Sequence, residues 1–172
     1  MMKVKVLKTH PMAALPKKAY AGDFCYDVWA VTEEEVAPNV WKYGLGLAFQ
    51  IVREPETMIM STCYHGGKEK LHCTKMDFSR SPINISIDLR PRSSVWKTGM
   101  VLSNCEGTVD EAYTGEVSAA FYHVNKELPR YKVGDRIGQI KLGFTLPMQF
   151  EIVEELSETD RGAGGYGSTG LK

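Results

Sequence analysis

Short runs of alternating apolar and polar residues, mixed with β-branched and aromatic clusters, constrain this chain more than any other feature. MKVKVL, GLGLAFQIV, ETMIMSTCY, INISIDL, EVSAAFYHV, RIGQIKLGF and MQFEIVEEL show period-two alternation or clusters of β-branched and aromatic residues. Successive side chains of a strand point to opposite faces, so such runs suit half-buried strands. Turn-forming pieces such as HGGKEK, SNCEGTVD and ELPRYKVGD separate them. Helical three-four periodicity over a dozen residues is nearly absent. The pattern predicts an all-β protein, a sandwich, barrel or jelly roll, with at most one short helix near Ser94 to Thr98.

With 172 residues the chain fits one domain, and its 43% hydrophobic content can build a core without disulfides. Lys and Arg number 21 and Asp and Glu 21, so there is no net charge to drive adhesion to nucleic acid or to an anionic membrane. An anionic ligand is therefore expected to be small and locally held. The start, MMKVKVLKTH, lacks the apolar run of a signal peptide, and no segment reaches the ~18 apolar residues of a membrane helix. A cytoplasmic location is expected, with Cys25, Cys63, Cys73 and Cys105 as thiols.

Five stretches carry residues suited to chemistry. AGDFCYDVWA sets Asp27 in an apolar run, where spacing alone reads it as a solvent-facing alternation residue. RPRSSVWK groups Arg92, Ser93 and Ser94 at a bend: either donors for phosphate oxygens, or an N-cap pair with Arg92 in an ion pair. NCEGTVDEAYTGEV reads as a hairpin with Gly107 and Gly115 at turns. There Asp110 is either a positioned base or a turn former, and Tyr113 an aromatic plate or a core residue. KVGDRIGQIKL holds Gln139 as a polar exception on a strand. RGAGGYGSTG, from Arg161 to Gly170, is half glycine and by itself predicts disorder that an anion could order. It is not a Walker loop, because no GK[ST] follows a GxxxxG.

Together and in order, these stretches resemble the five motifs of the trimeric dUTPase family, over nearly the whole chain. The resemblance implies a distorted jelly-roll (β-clip) homotrimer that hydrolyses dUTP to dUMP and diphosphate with Mg2+, its active sites lying between subunits. Matched position by position, Asp110 is the catalytic carboxylate that activates water. Tyr113 lies under the deoxyribose, and Asn104 and Gly107 belong to the part that reads uracil. Arg92, Ser93, Ser94 and Gln139 contact the phosphates, and Asp27 helps position the metal through water. Arg161, Tyr166, Gly167, Ser168 and Thr169 belong to an arm that closes over the nucleotide, with Tyr166 over the base. The chain departs from the pattern at Ala112 and Thr114, where an acid and an arginine are usual.

The implied organisation is a β-domain over 1–156 and a flexible arm over 157–172. Residues 53–81 are longer than a compact member needs, and read as an inserted β-arm with a Gly-Gly turn that suits a protein partner. Cys63, His65, His72 and Cys73 lack knuckle spacing, which disfavours zinc. Two rival readings stand beside the hydrolase: a nucleotide-dependent interaction protein, and a related dCTP deaminase, which the glycine-rich arm disfavours.

Overall fold

The computed structural model describes residues 2–53, 57–65, 68–76 and 82–165. In chain order the strands are β1 (Lys3–Lys8), β2 (Tyr26–Trp29), β3 (Thr32–Ala37), β4 (Val40–Gly44), β5 (Leu47–Val52), β6 (Thr57–His65), β7 (Lys68–Met76), β8 (Asn84–Arg90), β9 (Met100–Leu102), β10 (Gly107–Asp110), β11 (Ser118–His123) and β12 (Arg136–Thr145). The 3-10 turn η1 (Ser93–Lys97) follows β8, where the sequence predicted a short helix. The protein is all-β, as the alternation required.

Two four-stranded sheets, β10-β8-β12-β2 and β3-β4-β11-β9, carry most of the structure, and β1 pairs with β5. Val28, Tyr43, Leu45, Leu47, Phe121 and Ile137 are fully buried, so both sheets and the strand β5 feed one core. Tyr43, Phe121 and Tyr131 meet edge to face, with ring centroids 5.3 to 6.2 Å apart. The Tyr43 hydroxyl also donates to the Tyr131 carbonyl at 2.9 Å. These contacts anchor the loop that feeds β12, the strand carrying Gln139.

The strands β6 and β7 pair with each other from Thr57 opposite Met76 to His65 opposite Lys68. Among the described residues neither joins another sheet. The expected Gly66–Gly67 turn lies outside the described residues. In this register Cys63 stands opposite Lys70 and Cys73 opposite Met60, so the four residues of the zinc reading form no cross-strand pairs.

The structure departs from the sequence reading in three places. MQFEIVEEL forms no strand; Leu146, Met148, Phe150 and Ile152 are 66%, 74%, 86% and 102% exposed. Alternation makes a strand only where a sheet edge is in reach, and after β12 ends at Thr145 the chain pairs with none among the described residues. NCEGTVDEAYTGEV is not a hairpin: β9 pairs with β11, whereas β10 pairs with β8 in the other sheet. Its left-handed residue is Cys105 (φ 58), and Gly107 simply opens β10. Third, β3 and β4 form a hairpin around Pro38-Asn39 that the alternation did not announce, with Asn39 at φ 64 and its N–H on the Glu35 carboxylate at 2.9 Å.

A buried ionic pair sits between β8 and β12. The Asp88 carboxylate accepts from Lys141 Nζ at 2.5 Å and from Ser86 Oγ at 2.8 Å. Gly143 leaves the room for it, since a Cβ there would lie 2.5 Å from Asp88 Oδ2. Burial raises the Asp88 pKa, but the bonds from Lys141 and Ser86 outweigh it and hold the carboxyl below its usual range. A folded-state pKa below the unfolded one means that this stability is present above about pH 4 and lost as pH falls through the lower, folded value. Lys141→Met, which strands the buried carboxylate, is expected to cost about 3 kcal/mol at pH 7 and to flatten the stability loss below pH 4, read by urea unfolding across pH.

Candidate functional site

Three of the sequence-selected stretches converge at the far end of β8. In register, Asp27 of β2 faces Gln139 of β12, which faces Arg90 of β8. Asp27 is buried at 9% exposure, not solvent-facing as spacing suggested. The reason is its partners: Arg92 Nε donates to Oδ1 at 3.0 Å and Arg136 Nη1 to Oδ2 at 3.1 Å. A carboxylate leaves water only when paired, and two guanidiniums make the pairing.

Arg92 also reaches Ser94 Oγ at 3.4 Å, and Gln139 Nε2 donates to the Pro91 carbonyl at 3.1 Å. Arg92 is the N-cap of η1 and caps it with no side-chain bond, and Ser93 beside it is exposed. Of the two parts of the structural alternative, the ion pair of Arg92 is present and the serine N-cap is not, since Arg92 itself holds the cap position. The result is a bend with guanidinium, hydroxyl and carboxamide donors together, suited to phosphate oxygens.

The other group lines the opposite side of β8. Asp110 ends β10 opposite Ser86, and Tyr113 follows in a turn closed by its N–H on the Asp110 carbonyl at 3.0 Å. Both side chains are exposed, Tyr113 at 49%, so neither is a core residue. They share a hollow of about 210 Å³ with Val109, Glu116 and Ser118. A second hollow of about 290 Å³ is lined by Asn104, Gly107, Leu102 and again Ser118. The turn between Asn104 and Gly107 is tied down by an ion pair from Arg90 to Glu106. Beside Asp110, Glu111 is gripped by Arg53 through Nε and Nη2, each at 2.5 Å, while Arg53 also donates to the Ile83 carbonyl. That bond from Arg53 outweighs burial and lowers the Glu111 pKa. Ala112 and Thr114, the departures from the motif, are exposed.

The two groups do not meet within one chain. Asp110 stands opposite Ser86 and Gln139 opposite Arg90, four residues along β8. At about 3.3 Å per residue that is ~13 Å along the strand, with two strand spacings of ~4.8 Å across the sheet besides. A single phosphate is reached by contacts of about 3 Å.

Of the terminal stretch, Arg161 is exposed and its Nε donates to the Gly164 carbonyl at 2.9 Å, in a turn with Gly162 at φ 50. Tyr166, Gly167, Ser168 and Thr169 lie outside the described residues. The structure adds Arg136, Glu116 and Ser118 to the residues selected from sequence. Arg136 stands in KVGDRIGQIKL, and its charge next to a strand start was the available signal; Glu116 and Ser118 had none.

Among the described residues no three His, Cys, Asp or Glu side chains cluster to hold a metal, and none of the helical structure is long and apolar enough to cross a membrane. The dUTPase family model matches residues 67–170. A deoxyuridine 5'-triphosphate nucleotidohydrolase of Clostridium acetobutylicum is 31% identical over 100% of this chain and 99% of its own length. One of Clostridium novyi is 30% identical over 99% and 100%. In fold, the chain is similar to the dUTPase of Staphylococcus bacteriophage 80alpha solved with dUPNHPP, at a TM-score of 0.69 and 18% identity over 98% of this chain and 99% of that one. It is also similar to the dUTPase of phage phi11 of S. aureus, at a TM-score of 0.59 and 14% identity over 91% and 99%. The order of the five stretches, the jelly-roll fold and these full-length relatives agree: the chain belongs to the dUTPase family.

Proposed function

We propose that this protein hydrolyses dUTP to dUMP and diphosphate at sites assembled between the copies of a homotrimer. The observation that carries the proposal is the division of the site residues along β8: phosphate donors at one end, a carboxylate and an aromatic plate at the other. A second copy brings its Asp110 to the phosphate donors of the first, which one chain cannot do. Oligomerisation also accounts for the exposed alternating Leu146, Met148, Phe150 and Ile152, an apolar edge that needs a partner.

In this reading the uracil sits by Asn104 and Gly107, and Tyr113 lies under the sugar, where a 2′-hydroxyl collides. Arg92, Ser93, Ser94 and Gln139 hold the α- and β-phosphates. The Asp110 carboxylate accepts a proton from water as the water oxygen bonds the α-phosphorus, and the bond to the bridging oxygen breaks to release diphosphate. Arg92 stabilises the negative charge that develops, its direction set by Asp27. Arg161, Tyr166, Gly167, Ser168 and Thr169 close over the far end of the nucleotide.

Asp27 fits direct metal ligation poorly, because both its oxygens already accept from guanidinium groups and a cation there meets two positive charges. We therefore assign Asp27 to orienting Arg92. Mg2+ bound together with the substrate would offset the charge of the triphosphate, beside the donors Arg92, Ser93, Ser94 and Gln139.

The test is diphosphate release from dUTP, dCTP, dTTP and UTP with Mg2+, by the full chain and by a chain ending at Glu158. Strong preference for dUTP is expected, and the shortened chain is expected to lose about 100-fold in kcat/KM, the contribution of a closing arm. Binding of dUTP without diphosphate release makes the protein a nucleotide-dependent interaction protein instead, and deamination of dCTP makes it a deaminase. Equal rates for the two chains remove the arm from the mechanism. The reading is of a cytoplasmic enzyme.

A further inference from the structure

Tyr113 does not stand freely in its hollow. Its hydroxyl donates to the Glu116 carbonyl at 3.0 Å, folding the ring back across Gly115, where a Cβ would lie 2.6 Å from the phenol oxygen. The Glu116 side chain points the other way and is itself clamped. Its Oε1 accepts the Gly46 N–H at 3.1 Å and its Oε2 accepts the Thr9 hydroxyl at 2.8 Å.

Thr9 and Gly46 are in turn joined, the Thr9 N–H donating to the Gly46 carbonyl at 2.9 Å. On either side of the clamp the backbone is fastened, Leu45 N–H to the Val117 carbonyl at 3.0 Å and Val117 N–H to the Leu47 carbonyl at 2.9 Å. Gly44 makes room for the carboxylate. A Cβ at Gly44 would lie 2.6 Å from Glu116 Oε1, and Gly46 is left-handed at φ 62. Gly44 thus leaves space for Thr32 and Glu116, whereas a Cβ at Gly46 would meet His10, Val31 and Ala13, so Gly46 serves the clamp through its N–H alone.

From this chain of contacts we infer that Glu116 is a positioning residue for Tyr113, and through it sets how sharply the site rejects ribonucleotides. The inference rests on the reading of Tyr113 as the plate beneath the sugar. A ring discriminates against a 2′-hydroxyl only if it cannot retreat, and a tyrosine half exposed on a surface turn is not locked by packing alone. The hold comes from the phenol bond to the Glu116 carbonyl, whose place the clamp by Thr9 and Gly46 fixes.

The experiment compares the ratio of kcat/KM for dUTP to that for UTP across variants. Glu116→Ala and Tyr113→Phe are each expected to lower the ratio about fivefold to tenfold, the scale of one lost hydrogen bond. The double variant is expected to fall no further, because both changes release the same ring. Glu116→Gln is expected to stay within about twofold, since its amide oxygen still accepts from Gly46 and its NH2 group can donate to the Thr9 hydroxyl. Thr9→Val, which removes one hydroxyl, is expected to lower the ratio in the same direction and covers the case in which Glu116→Ala fails to fold.

An unchanged ratio in Glu116→Ala or, where that variant does not fold, in Thr9→Val and Tyr113→Phe, overturns the inference. So does a Glu116→Gln variant as poor as Glu116→Ala. Tyr113→Ala separates the two levels: if it leaves the ratio intact, the placement of Tyr113 under the sugar is what fails.

Discussion

Asp110→Asn is expected to lower kcat for dUTP about 1,000-fold while leaving KM within a few-fold, because it removes the proton acceptor and keeps the shape. The turn that follows survives the change, since it is closed by the Asp110 backbone carbonyl, not by its side chain. The neighbouring Glu111 cannot take over. Both its oxygens are held by Arg53, and that pairing keeps it a poorer base than a free glutamate. Steady-state diphosphate release, with equilibrium binding of a non-hydrolysable dUTP analogue alongside, checks the prediction. A loss of less than about tenfold with binding intact would mean that another group activates the water.

Mixing two inactive variants is expected to restore activity. Arg92→Ala and Asp110→Asn chains, unfolded together and refolded in equal amounts, assemble sites in which half the contributed carboxylates and half the contributed guanidiniums are intact. If each site draws Asp110 from one copy and Arg92 from another, about a quarter of the sites are whole, so about a quarter of the wild-type rate returns from near zero. A site built within one chain predicts no recovery, because every chain then carries one defect. The ~13 Å along β8 between the two groups is the reason to expect recovery.

How far the sequence could be read depended on whether a residue's role was local. Alternation located β1, β5, β8, β11 and β12 because one face of each is covered by the core, so burial and pattern coincide. The β3–β4 hairpin escaped because TEEEVA carries three glutamates that cross-strand partners and turns occupy: Glu33 with Arg130, Glu34 with Lys42, Glu35 with the Asn39 N–H. MQFEIVEEL misled for the opposite reason, having the pattern of a strand without an edge to join.

The candidate site divides in the same way. Arg92, Asp110, Tyr113 and Gln139 were legible as residue types in a recognisable order, since a phosphate needs donors and a hydrolysis needs a base. Asp27 was misjudged on spacing, because its burial follows from arginines 65 and 109 residues away in sequence. Arg136 and Glu116 were missed, as their meaning lies wholly in distant partners: Asp27 for the first, Thr9 and Gly46 for the second.

By itself, then, the sequence determined the class of fold and the chemical repertoire, because strand periodicity and the choice of donors and bases are properties of short stretches. Only the tertiary structure decided which of those residues share a place. Strand order brings Asp27, Arg92, Arg136 and Gln139 to one end of β8 and sends Asp110 and Tyr113 toward the other. That separation follows from register, which hydrogen bonds between strands far apart in the chain impose, and no local pattern encodes it.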